Sequence, residues 1–221
     1  MQPSDEIDGE SGAMEDDLAA IWDAARVAVG APSPALVLLA GLPASGKSWL
    51  AEHLAGPLEA ALSQSDVRRR ELFAVPTGYR HRGPYDAGMY SAEAKQKVYD
   101  SLLDDARRSL EAGRRVVIDG SFVQAKWRAP FERLARELGA PFVFVEVTAP
   151  EEVVRARITE RVKDTNQPSD ADFEVYLKLK QQREPLDECG EHERLVVESP
   201  VDLIEVVEHL VAKLRAQVAG A

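Results

Sequence analysis

Residues Gly41-Leu42-Pro43-Ala44-Ser45-Gly46-Lys47-Ser48 set two glycines four residues apart and follow the second with lysine and serine. An apolar run, "ALVLLA", precedes them, and a helix-forming run follows, which is the context a phosphate-binding loop requires. In such a loop successive backbone N–H groups surround a phosphate at a helix N-terminus. The lysine reaches the outer phosphates, and the serine hydroxyl takes a divalent cation. The pattern therefore makes Gly41, Pro43, Ala44, Ser45, Gly46, Lys47, Ser48 and Trp49 the expected nucleotide contacts, with ATP and Mg2+ as cofactors and Ser48 as a metal ligand. The plain alternative is a glycine turn carrying a surface lysine.

What surrounds the loop decides which chemistry follows it. A guanine-reading Asn-Lys-x-Asp sequence is absent, because the only asparagine, Asn166, is followed by Gln167. A hydrophobic strand that would carry Asp-Glu in a water-activating ATPase ends here in Asp119-Gly120, without the glutamate. Transfer to an acceptor other than water is the consequence. Asp66, at the end of the strand after the loop's helix, can face the γ-phosphate and take a proton from an attacking hydroxyl. Arg69 lies one helical turn on and projects from the same face, where it can hold the acceptor. The competing reading makes Asp66 the N-cap of "VRRRELF", although capping by Ser65 would free it. Past that helix, "TGYRHRGPYDAGMY" brings Arg80, Arg82 and Tyr90 to where an acceptor would enter, and the alternative there is a solvated loop with its tyrosines tucked inward.

The elements that position these groups alternate. "ALVLLA" reads as a buried central strand, and "LEAALSQSD", "RVVIDGSF", "PFVFVEV" and "ERLVVES" supply four more. Between them lie helices marked by caps and apolar stripes. One has Ser91 as cap, Val98, Leu102, Ala106 and Leu110 inward and Gly113 as stop; another has Trp127, Phe131, Leu134 and Leu138. Ser199 and Pro200 are expected to cap and open a final helix burying Leu203, Val207, Leu210 and Leu214. The implied architecture is an α/β three-layer sandwich of the P-loop NTPase kind with a five-stranded parallel sheet and ligands at the strands' carboxyl ends. Residues 1–17 read as an acidic disordered tail, 18–30 as a leading helix, and 34–218 as the main domain.

Together "GLPASGKSWLAEHLA", "SQSDVRRREL", "YSAEAKQKVYDSLLDDARRSLEAGRRVVIDGSF" and "FVFVEVTAPEEVVRARITERV" resemble the P-loop kinases grouped with polynucleotide 5'-kinases, zeta toxins, chloramphenicol phosphotransferases and gluconate kinases. The likeness extends over roughly residues 34 to 200, and is strongest to the ATP-binding half of bacterial proteins that fuse such a kinase to an aminoglycoside-phosphotransferase-like domain. It implies a nucleoside-monophosphate-kinase-like fold with a helical lid at about 157–172. It implies Asp66 as general base, Arg69 on the acceptor, and lid arginines, here Arg157 and Arg161, on the ATP phosphates, while Arg155 points elsewhere. Lys47, Asp66 and Arg161 are then the catalytic set. Asp119 and Ser121 would stand beside Mg2+, with Asp119 acting through water or positioning the acceptor; a strand-end turn is the alternative. Arg70-Glu71 departs from the more usual pair of basic residues after Arg69, and a tail and one helix stand where the fused domain would be.

Charge narrows the partners. Net charge is −11, but residues 1–20 hold seven acids and no Lys or Arg, so the rest carries −4. A mildly acidic body repels polyanions at long range, which disfavours nucleic acid while leaving room for a local basic cleft. The single cysteine, Cys189, makes no intramolecular bridge, and neither a membrane-spanning run nor a targeting segment is visible, so a cytoplasmic location is expected. The resulting expectation is an ATP-dependent kinase acting on a small-molecule hydroxyl acceptor, sugar-, nucleotide- or antibiotic-like, as a monomer or weak homodimer. A polynucleotide 5'-kinase, a nucleotide-sugar kinase of the zeta-toxin kind and a non-catalytic ATP-binding module are the rivals.

Overall fold

The computed structural model describes residues 23–25, 27, 28, 30–76, 86–161, 171–186, 190 and 193–219. Five strands form one parallel sheet: β1 (Ala35–Ala40), β2 (Ala61–Gln64), β3 (Arg115–Asp119), β4 (Phe142–Thr148) and β5 (Arg194–Glu198), in the order β2-β3-β1-β4-β5. All six residues of β1 are buried, because a central parallel strand is covered on both faces. Its side chains divide with period two. Val37 and Leu39 enter a core shared with helices α1 (Lys47–Ala55) and α7 (Leu203–Ala219). Leu36, Leu38 and Ala40 enter a second core, shared with α3 (Ala92–Glu111) and α4 (Ala125–Glu137). The remaining helices are α2 (Ser65–Leu72), α5 (Glu151–Arg161) and α6 (Phe173–Gln182).

The strand register brings polar residues into one row. Leu39 pairs with Asp119, Ala40 with Glu146 and Gln64 with Asp119, so Gln64, Asp119 and Glu146 all stand at the carboxyl edge. The chain leaves β1 toward β2 and returns through β3 to β4 on its other side, which opens a crevice at that edge. Arg115, at the opposite edge, donates to the carbonyls of Ala31 (2.6 Å), Pro32 (3.1 Å) and Leu58 (2.8 Å) and ties the entry segment to the sheet.

Several local expectations are met. Ser91 Oγ accepts from Ala94 N at 3.2 Å and caps α3, whose Val98, Leu102, Ala106 and Leu110 are buried, and Gly113 follows it at φ +71°. The start of α7 differs. It begins at Leu203, and the Asp202 carboxylate caps it by accepting from Ile204 N (2.9 Å) and Glu205 N (3.2 Å). Ser199 is not its cap because its N–H already bonds Thr148 O at 2.8 Å and its hydroxyl already accepts from Arg157 Nη2 at 2.9 Å. Of the leading helix, residues 23–25, 27 and 28 are helical, with Ala24 and Ala28 buried in the first core. The expected acidic tail and most of the segment expected as a lid, residues 162–170, lie outside the described residues, as do Arg80 and Arg82.

Candidate active site

The loop from Gly41 to Gly46 leaves the buried end of β1 and turns into α1. A Cβ at Gly41 would stand 2.4 Å from Val147 O and 2.6 Å from Ser45 Oγ, so only glycine lets the loop pass β4. Ala44 and Gly46 take positive φ, +62° and +100°, and Gly46 occupies the N-cap of α1 without any side-chain cap. Pro43, Ala44 and Ser45 are buried, while Lys47 and Ser48 open the helix. A helix N-terminus whose donors are left unsatisfied by side chains suits an anion. Trp49, the residue after Ser48, is 41% exposed and stacks on His53 with ring centres 4.0 Å apart.

Beside this cradle stands Asp119, 3% exposed. Its Oδ2 receives a long hydrogen bond from Gln64 Nε2 at 3.5 Å, and its Oδ1 is buried with no partner. Burial pushes the Asp119 carboxyl above the usual carboxylate range; the Lys47 ammonium and a hydrogen bond from Ser48 oppose this, and the nearby Asp66 charge reinforces it. An unsatisfied carboxylate oxygen next to a serine hydroxyl suits a hard cation with oxygen ligands. Among the described residues no three acidic, histidine or cysteine side chains gather into a metal cage, so such an ion would share its ligands with phosphate oxygens.

The acceptor-side candidates come together on α2. Its N-cap position is Gln64, without a side-chain cap bond, so Ser65 and Asp66 both belong to the helix and the Asp66 carboxylate is not consumed as a cap. Asp66 Oδ1 lies 4.0 Å from Arg69 Nη2. Arg69 is 7% exposed, its Nε and Nη1 lack partners, and its guanidinium sits 4.7 Å from the centre of the Tyr90 ring. Tyr99 extends the cluster: its hydroxyl is 3.3 Å from Ser121 Oγ, and it accepts from Phe122 N at 3.4 Å. Burial raises the Tyr99 pKa, partly offset by the Ser121 hydrogen bond and then by Arg69, so the phenol stays protonated and available as a donor. Asp66, Arg69, Tyr90, Asp119 and Ser121 thus share one region next to Lys47 and Ser48.

Helix α5 meets the cradle from the other side. Arg157 donates from Nη1 to Ala44 O at 3.1 Å and from Nη2 to Ser199 Oγ at 2.9 Å. Arg155 turns away, over the Phe173 ring at 3.8 Å and toward Glu151 at 3.6 Å. Arg161 ends α5, and its side chain lies outside the described residues. Gln64, Tyr99 and Ser199 are the neighbours that sequence reasoning missed. Tyr99 falls in the apolar face of α3, Gln64 needs the strand register to be placed, and Ser-Pro is an ordinary helix-start signal. A buried Glu146, receiving Arg183 and Arg194 (2.8 Å), closes the β4 side of the crevice.

Residues 36–186 match the family model described as AAA domain, AAA_33. The "Uncharacterized protein Rv2004c" of Mycobacterium tuberculosis is 35% identical over 146 residues, 65% of this chain, and the chain spans only 28% of that relative's length. An adenylate kinase of Synechococcus sp. is 30% identical over 192 residues, covering 82% of this chain and 96% of the relative. Two solved structures share the fold. Chaetomium thermophilum Kti12 in complex with ADP-AlF3 has a TM-score of 0.61 at 15% identity, over 81% of this chain and 98% of that one. A sugar kinase from Janibacter sp. has a TM-score of 0.59 at 20% identity, over 83% and 97%. The match spans two thirds of the chain and contains the whole cradle, so the chain belongs to the AAA_33 family of P-loop domains.

Proposed function

We propose that the protein is an ATP-dependent phosphotransferase that moves the γ-phosphate to a hydroxyl of a small molecule, with Asp66 as general base. The observation that carries this reading is the placement of Asp66 and Arg69, 4.0 Å apart on the first turns of α2, within electrostatic reach of Asp119 at the cradle. A carboxylate free of capping duty, next to a buried cation with two unpartnered nitrogens, suits deprotonation of a hydroxyl and retention of its parent molecule. No glutamate follows Asp119 to polarise water.

In this mechanism the backbone N–H groups of Ala44, Gly46, Lys47 and Ser48 hold the β-phosphate and the Lys47 side chain reaches across to the γ-phosphate. Ser48 and Asp119, the latter directly or through water, would hold Mg2+, which neutralises charge on the phosphate oxygens when bound. Arg69, Tyr90 and Ser121 orient the acceptor, and Asp66 takes the hydroxyl proton as the oxygen attacks in line. Arg157 and Arg161 belong to a lid whose closure adds positive charge and keeps water out. Arg80 and Arg82 are assigned to the acceptor from the sequence alone. The names adenylate kinase and sugar kinase among the similar proteins support a phosphate donor and a small acceptor.

The test is transfer of labelled γ-phosphate from ATP to metabolites of a cell extract, read as products heavier by one phosphoryl group. Wild-type protein yields such a product and Lys47→Ala does not. Labelling of a 5'-hydroxyl oligonucleotide instead would establish the polynucleotide kinase, and labelling of a nucleotide sugar the toxin-like enzyme. Tight ATP binding without any labelled product would establish the binding module.

A further inference from the structure

A cavity of about 200 Å³ opens at the crevice beside the cradle, on the side of β1 toward β4, between the loop after β3 and helices α5 and α6. Asp66 and Arg69 do not line it, but it shares two walls with the phosphate site. One is the loop itself, through Gly41, Leu42 and Ser45; the other is Ser121, which the Tyr99 hydroxyl links to the α2 side.

The charges around this cavity are already matched. Glu146 is held by Arg183 and Arg194, Glu151 by Lys180 at 2.9 Å, and Glu184 by the Ala125 N–H at 2.6 Å. The buried Arg128 donates to the carbonyls of Phe122 (2.9 Å) and Pro185 (2.7 Å). A charged ligand would have to displace one of these partners, and at Glu146, whose side chain is 7% exposed, that would leave a buried carboxylate short of a cation. The rest of the wall is apolar, with Leu42, Phe122, Phe144, Val147, Val154 and Tyr176. One polar atom has been left without a partner: Ser45 Oγ, on a residue 1% exposed that lines the cavity. A hydroxyl in such a place calls for a hydrogen-bonding partner.

We infer that this cavity holds the body of the acceptor and that the acceptor is a neutral, largely apolar alcohol, aromatic or alicyclic, whose hydroxyl end leaves the cavity past Ser45 and Ser121 toward Asp66. This rests on the kinase reading for its chemistry, but not for its binding. The apolar body fills the space under α5 and α6, and the polar end alone reaches the cradle. Val123, buried in the same wall, sets the depth of the site.

The probes are benzyl alcohol, 3-phenylpropanol and cyclohexylmethanol, set against gluconate and glucose 6-phosphate. Binding is read by saturation-transfer NMR on the full chain with ADP and Mg2+, and transfer by labelled phosphate from ATP. The neutral alcohols should give saturation transfer and the anions none. Val123→Phe should abolish the alcohol signal while ADP binding and the thermal midpoint stay as in the wild type. If that variant fails to fold, Val154→Leu, a smaller filling, should weaken the signal at least 5-fold. Alcohols that bind at this cavity, with no labelled product formed from them or from a cell extract, uphold the site and overturn the kinase reading. Transfer to gluconate or glucose 6-phosphate with no alcohol binding upholds the kinase and overturns the inference, as does the absence of any alcohol signal, or a signal that both filling variants retain.

Discussion

Arg157 donates from Nη1 to the carbonyl of Ala44 at 3.1 Å, so the helix after β4 is tied directly to the loop that forms the phosphate cradle. Ala44 sits at φ +62°, a conformation disfavoured for any residue with a Cβ, and the guanidinium bridges it to Ser199 Oγ. The cradle is therefore shaped partly from outside its own sequence.

Arg157→Ala removes both charge-assisted bonds and lets the loop relax. Nucleotide affinity should fall about 10-fold, near 1.4 kcal/mol. Arg157→Lys should recover little of it, because an ammonium lacks the planar fork that spans the carbonyl and the hydroxyl together. Titration calorimetry with ADP checks both variants, and Arg155→Ala is the control, with affinity unchanged.

Gly41→Ala tests the close approach of loop and strand. Its Cβ would stand 2.4 Å from Val147 O, a backbone atom of β4 that cannot swing away, so loop or strand must shift. The cost should be about 3 kcal/mol of folding stability, with nucleotide binding lost alongside. Thermal denaturation with and without ADP measures this. Gly113→Ala, at φ +71° with open space around it, should cost about 1 kcal/mol and leave binding intact.

Asp119 carries a pH signature in the protein free of nucleotide and metal. Burial holds its folded pKa above the unfolded value, so the folded state binds the proton more tightly than the unfolded chain does. Its contribution to stability is therefore fully present below the unfolded pKa and is lost as pH rises through the folded one. Asp119→Asn removes that dependence and should raise the stability of the free protein at neutral pH. The same variant should lose most of the extra stabilisation that Mg2+ adds to ADP. Urea denaturation across the pH range reads the first effect, and thermal shifts with ADP and Mg2+ the second.

Contiguity decided what could be read from the sequence. The cradle is eight consecutive residues with one dominant conformation, and Asp66 with Arg69 is an i, i+3 pair on one helix, so spacing alone brings each set together. The five strands and the inward faces of α3 and α7 were equally legible from their apolar patterns. Asp119, Ser48 and Gln64 meet only through the register of β2, β3 and β1, which no local pattern contains. Tyr99 stands next to the apolar stripe of α3 and drew no notice in the sequence, because its hydroxyl gains meaning only from Ser121 across the crevice. Ser199 carried a helix-cap signature, but the Arg157 contact and Asp202 cap make it a support for the loop instead. The cavity under α5 and α6 draws its walls from segments more than 140 residues apart, Ala40 to Leu186, and left no trace in any single stretch.

The central claim is that Asp66 takes the acceptor's proton. The most direct measurement is single-turnover transfer of labelled γ-phosphate by Asp66→Asn, with ADP and ATP binding measured on the same preparation. Nucleotide affinity should stay within a factor of about 2 of the wild type while the transfer rate falls about 100-fold or more, the range expected for loss of a general base. Transfer by Asp66→Asn at the wild-type rate would contradict the assignment.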